Sequence, residues 1–305
     1  MTTCAGILAH VPRFLQPVLG PLLCLRIRRL ERRTSRKLKP IIEERLTRIE
    51  DQTNSNPEDR LQMMLCYARD NVPQELNVRD ITGRLINANF GAMHQTSIAV
   101  TNTILNMASS DAEFDTIATL RKEIIAVMGN HGSWTRQAVA QMVSTDSVIK
   151  ETLRLHSFSS HIPRRVTAKD GVTTPDGVHL PQDTMISILQ RAPSLDATHF
   201  SNPTKYDPFR FSRRARSERA FFPPSLVDIS DTNRSFGLGK HACPGRFLVD
   251  FELKMIVAYL LLNYDVRLAE EHSGVRPPPV CMFGAAFPPG NAKIEIKRRL
   301  NSWPS

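Results

Sequence analysis

One segment constrains the fold more than any other: SFGLGKHACPGRFLVDFEL, residues 235–253, where a solitary cysteine sits between glycine turns and a helix. Phe236, Gly239, His241, Cys243 and Gly245 form the loop, and the glycines permit tight backbone turns on both sides of the thiol. Leu248, Phe251, Met255, Ala258 and Leu262 recur on one helical face, so a helix is predicted to start directly after Gly245. A helix amino terminus presents unpaired N–H groups and a partial positive charge, both of which favour a thiolate. A sulfur placed there is suited to ligate a metal, with nearby amides setting its electron donation. The other cysteines, Cys4, Cys24, Cys66 and Cys281, form no CxxC pair, which argues against a structural zinc site and a disulfide framework and for a reducing compartment.

The rest of the chain reads as mainly α with small β-sheets, an α+β class in one compact body. Leu85, Ala88, Ala92, Thr96, Ala99, Thr103 and Met107 recur at steps of three and four, which predicts a long helix from Ile81 to about Ala108, within a region spanning 78–108. A shorter helix is expected near Ala112 to Met128, ended by Gly129 and Asn130, and Asp146 is a plausible N-cap for a helix over 146–156 carrying KETLRLH. Asp170-Gly171 and Asp176-Gly177 turn pairs between β-prone runs predict a small sheet from Pro163 to Ile188. Residues 190–235 read as a long irregular meander, 236–262 as the cysteine loop and its helix, and the tail as a hairpin around Phe283 to Ile296.

The cysteine loop resembles the haem-ligand signature of the cytochrome P450 family, in its fungal secondary-metabolism branch. That resemblance implies haem b held by the Cys243 thiolate as axial ligand, with Phe236, His241 and Gly245 as further cofactor contacts. His241 stands where relatives often have Arg. Glu151 and Arg154 lie three apart on one helical face, which alone describes an exposed pair of little consequence. About 90 residues before the cysteine, however, they match the family's ExxR element, and Arg210 in YDPFRF matches the arginine that completes its triad. Thr96, in GAMHQTS, resembles the hydroxyl of the oxygen-activating helix that relays protons to dioxygen. The pattern departs from the commonest form here, because Gln95 replaces an acid and His94 precedes it. Arg165, in IPRRVTAKDG, lines up with a donor to a haem propionate.

The implied activity is a monooxygenase that inserts one oxygen atom from O2 into an apolar, terpenoid or polyketide-like secondary metabolite. Its electrons would come from NADPH through cytochrome P450 reductase, for which Lys240, Arg246, Arg213 and Arg214 offer a basic docking face. Ser159 to Ile162 and Phe283 to Phe287 are the implied pocket walls. The formal charge of +10 is concentrated in Arg26 to Lys39 and in Arg210, Arg213, Arg214 and Arg216. The first run alternates with Ile27, Leu30 and Leu38 as in an amphipathic helix with a solvated basic face, and no nucleic-acid motif accompanies it. The apolar stretch 5–25 is interrupted by His10, Arg13 and Gln16 and by Pro12, Pro17 and Pro21, so it makes no clear transmembrane anchor. It reads instead as a membrane-touching part of a fold whose beginning is missing, on the cytosolic face of the endoplasmic reticulum as the family implies. With Trp134 and Trp303 both away from the family's early haem-flanking helix, residues 1–305 are expected to be a single partial domain, residues 1–75 forming the helices before the oxygen-activating one. A catalytically incompetent remnant of such an enzyme is the alternative.

Overall fold

A computed structural model describes residues 11–12, 14–50, 57–217, 225–282 and 284–300. The chain divides into two compact units, Met1–His94 and Gln95–Ser305.

In the first unit, α1 (Gln16–Leu23) accepts Pro17 in its first turn, where the missing N–H would have been unpaired anyway. The basic run becomes part of α2 (Leu25–Glu50), followed by α3 (Arg60–Asn71). Ile42, Ile49, Leu61, Leu65, Ala68 and Ile81 close a core between α2, α3 and the start of α4 (Val78–Phe114). Asp59 caps α3 by accepting from the Gln62 amide at 3.0 Å, and it also accepts from Arg45 at 2.6 Å. The guanidinium and the amide together hold the Asp59 carboxyl down at about 2. Among the described residues, no helix is long and apolar enough to cross a membrane.

The second unit contains the rest of α4, then α5 (Thr116–His131), α6 (Arg136–Ala140) and α7 (Val143–Leu155). The long helix runs six residues beyond the expected Ala108 and stops at Asp115, which takes a left-handed φ of +50°. The next helix therefore starts at Thr116 instead of Ala112, and Gly132 ends it with φ +65°. Antiparallel β1 (His161–Arg165) pairs with β4 (Met185–Leu189), and β2 (Val172–Thr173) with β3 (His179–Leu180) across the Asp176-Gly177 turn, so the one small sheet expected from Pro163 to Ile188 is two separate two-stranded sheets, and Asp170-Gly171 joins no paired strands. The meander is not wholly irregular, because α8 (Arg210–Ser217) lies inside it and buries Ser212 and Ala215. Its apolar positions, Phe211 and Ala215, lie one turn apart, but two residues are too few to read as a helical period in the sequence.

After α9 (Arg246–Asn263), β5 (Tyr264–Leu268) pairs with β8 (Ile294–Arg298), while β6 (Val280–Met282) and β7 (Ala285–Phe287) form a separate hairpin. The single tail hairpin expected around Phe283 to Ile296 is thus two sheets, with Phe283 and Trp303 outside the described residues. Leu120, Ile124 and Met128 of α5 pack against Val257, Ala258 and Leu261 of α9, with Met107 of α4 in the same core.

Candidate functional site

The cysteine loop is closed by its own backbone. The Cys243 amide donates to the Phe236 carbonyl at 2.7 Å, and the Ala242 amide to Gly239 at 3.0 Å. Gly237 and Gly239 take φ of +82° and +66°, a region that side-chain-bearing residues rarely adopt, so both turns depend on glycine. Gly245 is helical at φ −79°, and the Leu248 and Val249 amides both donate to its carbonyl at 3.0 Å as α9 begins. Cys243 is a free, half-buried thiol at that helix start. Arg246 donates to the Cys243 carbonyl at 2.9 Å, which ties the first turn back to the loop.

Phe236 anchors the loop. It packs on a buried cluster of Ala99, Ile149, Leu226 and Leu253, with Val100, Leu153 and Val249 alongside. One apolar core therefore joins α4, α7, α9 and the loop. Thr96 lies three residues before Ala99, hence on the same helical face, and is half-buried. Gln95 is exposed, and half-buried His94 stacks on Phe90 with centroids 5.0 Å apart.

The Glu151 carboxylate is fully buried. Arg154 donates to both its oxygens, at 2.7 and 2.8 Å, and the Arg210 Nε and the Asp207 amide each reach Oε1 at 3.2 Å. The remaining Arg154 nitrogen donates to the carbonyls of Ser194 and Pro203 at 2.6 and 2.7 Å, and Arg210 donates to Ser201 at 2.7 Å. The three residues thus staple α7 to the long connection. The Asp146 N-cap expectation does not hold: α7 starts at Val143, and its first amides, of Ser144 and Thr145, donate to the Glu123 carboxylate of α5 at 2.6 and 2.9 Å. Asp146 is instead buried in the first turn beside Lys254.

Arg165 ends β1, is exposed, and lies 3.6 Å from an equally exposed Asp183. His241 is exposed too. The two segments expected to wall a pocket adjoin: the Ser160 amide donates to Gly284 at 2.8 Å, and Phe158 meets Phe287 edge-on at 5.5 Å. Between them is a cavity of about 160 Å³ lined by Ser157, Ser160, Arg191, Met282 and Gly284 among others. Sequence reasoning missed Arg191, Lys254 and Asp250. For Lys254 the only local signal was an acid one turn earlier on an otherwise apolar face.

These residues fit a haem. The donor set is a free thiol at a helix amino terminus, and the buried Nε atoms of Arg234 and Arg246, on either side of Cys243, lack hydrogen-bond partners among the described residues, as donors awaiting an anionic group would.

A sequence profile described as Cytochrome P450 matches residues 2–296. Similar curated proteins are Cytochrome P450 monooxygenase pbrC of Penicillium brasilianum, 42% identical over 96% of this chain and 57% of its own length, and Cytochrome P450 monooxygenase astC of Aspergillus terreus, 40% identical over 96% and 58%. Cytochrome P450 monooxygenase tenB of Beauveria bassiana is 40% identical over 94% and 57%. The chain thus spans less than two thirds of the length of the relatives it matches.

Proposed function

The chain belongs to the cytochrome P450 family, and from that premise we propose that residues 1–305 form the haem-binding part of a haem-thiolate monooxygenase. The observation that carries this reading is the common core beneath Phe236, where the cysteine loop, the ExxR helix α7 and the Thr96-bearing helix α4 meet. When bound, haem supplies the reductive activation of dioxygen that lets one oxygen atom enter an unactivated C–H bond.

The protein supplies placement and protons. Cys243 provides the thiolate, favoured by the amides and partial positive charge at the start of α9. Arg165 and His241 bind the propionates, their exposed side chains being available to anions. Glu151, Arg154 and Arg210 fix α7 and the connection that carries the chain toward the loop. Thr96 would hold a proton donor for dioxygen, with Gln95 and His94 orienting water where the commonest form of the family pattern has an acid. Electrons derive from NADPH through a flavoprotein reductase that docks on the basic residues Lys240, Arg246, Arg213 and Arg214. The substrate is an apolar secondary metabolite, terpenoid or polyketide-like, held between residues 159–162 and 284–287. The enzyme works at the cytosolic face of the endoplasmic reticulum membrane.

Turnover of a panel of terpenoid and polyketide substrates with reductase, NADPH and isotopically labelled dioxygen tests the reading. The expected product carries a single labelled oxygen atom, and label derived from water would contradict the proposal. A second reading, haem binding without turnover, draws on Gln95 standing where the commonest form of the family pattern has an acid. It predicts thiolate-ligated haem and no labelled product from any substrate.

A further inference from the structure

A second buried ionic group joins α9 to α7. Lys254 is 3% exposed, and its Nζ lies 2.5 Å from Asp146 on α7 and 2.7 Å from Asp250, one turn earlier on α9. Asp146 also accepts from the Leu226 amide at 3.2 Å, and one turn along α7 Lys150 donates to the Ser225 carbonyl at 3.0 Å. Leu226 belongs to the same apolar core as Phe236 and Leu253. The cluster therefore pins three segments: α7, α9, and the chain that leads into the cysteine loop. Asp228 and Arg214 are the other charged groups whose fields reach it. Burial opposes the charge on Lys254, yet the two carboxylates outweigh it and hold the ammonium above its ordinary range. Burial also raises the Asp250 carboxyl and lowers Lys150.

Apolar contact through Leu253, Val257 and Leu261 is non-directional, so it defines the register of α9 less sharply than a buried charge does. A lysine with no access to water is satisfied in a single register. Since Cys243 sits at the amino end of α9, two turns before Asp250, a slip of that helix would carry the sulfur with it. We propose that the Asp146–Lys254–Asp250 cluster is a positioning device that fixes the register of α9 against α7 and so the place of the Cys243 sulfur at the haem iron. This inference rests on the haem-thiolate reading.

The test compares the full chain with Lys254→Arg and with the neutral triple variant Asp146→Asn, Lys254→Met, Asp250→Asn, each loaded with haem. Three quantities are read: the ferrous carbon-monoxide spectrum, the haem midpoint potential and the thermal midpoint. Neutral replacement of all three groups strands no charge, although the introduced amides lose their ionic partner, so the triple variant should unfold at a moderately lower temperature than the wild type. Its ratio of thiolate-type to non-thiolate-type band should nevertheless fall about tenfold, within the range for directly coupled buried groups, and its potential should rise. Lys254→Arg, which keeps the charge, should retain the wild-type ratio.

A triple variant with wild-type ratio and potential overturns the proposal, whatever its melting temperature, and so does a Lys254→Arg variant as impaired as the triple. Where the triple variant does not accumulate, Asp250→Asn decides: a smaller fall in the ratio supports the device, and an unchanged ratio overturns it. A wild-type chain lacking the thiolate band refutes the haem-thiolate reading itself, and this inference with it.

Discussion

Glu151 receives two bonds from Arg154, one from Arg210 and one from a backbone amide, with no exposure to water. Such a group is worth less for the energy of its bonds than for what its loss leaves behind, namely a buried Arg154 and a half-buried Arg210 without their counterion. Glu151→Ala should destabilise the protein by about 3–5 kcal/mol, with soluble yield and haem content falling together. Unchanged yield would mean that the triad is ornamental. His156, at the end of α7, makes a different kind of demand. Burial, helped by the nearby charges of Arg276, Arg191 and Arg154, lowers its ring from 6.5 to about 3, and its Nδ1 has no hydrogen-bond partner among the described residues. The folded protein thus keeps this histidine neutral where the unfolded chain binds a proton. Its contribution to stability is complete above pH 6.5 and is lost as pH falls toward 3, at up to about 1.4 kcal/mol per pH unit. His156→Gln should flatten that part of the thermal-midpoint profile, and an identical slope would assign the acid lability to other groups.

Helix boundaries show where local signals compete with tertiary ones. Asp146 has the chemistry of an N-cap, yet α7 already starts at Val143, and the Glu123 carboxylate from α5 satisfies the amides of Ser144 and Thr145. A carboxylate accepting two amides and the Thr145 hydroxyl is a cap supplied by another helix, and no pattern within α7 announces it. Glu123→Ala should cost about 1–2 kcal/mol and speed amide exchange at Ser144 and Thr145, while exchange in the last turn of α7 stays slow. Equal protection at both ends would show that α7 needs no cap from α5. Asp115 has the same character: its left-handed φ, not a glycine or proline, separates α4 from α5, and a side-chain bond from the Ile117 amide to Asp111 at 2.7 Å supports the break.

Across the molecule, legibility followed the range of the interaction. The cysteine loop was readable because Gly237 and Gly239, the thiol and the helix start lie within ten residues and each is required locally. Long helices were readable from periodicity, although their ends were not. The Glu151–Arg154 spacing was visible, but its burial and its link to Arg210 across 59 residues became evident only in three dimensions. The Lys254 cluster left almost no trace, since its main partner, Asp146, is more than 100 residues away and reads equally well as a cap. The pairing of β5 with β8 was hidden for the same reason, the β6–β7 hairpin lying between them. What unites these elements is a single sulfur position, and the ferrous carbon-monoxide spectrum of the haem-loaded chain, beside that of Cys243→Ser, tests it most directly. The account predicts a red-shifted thiolate-type band in the wild type that disappears in the serine variant. A serine variant with the same haem content and the same spectrum would contradict it.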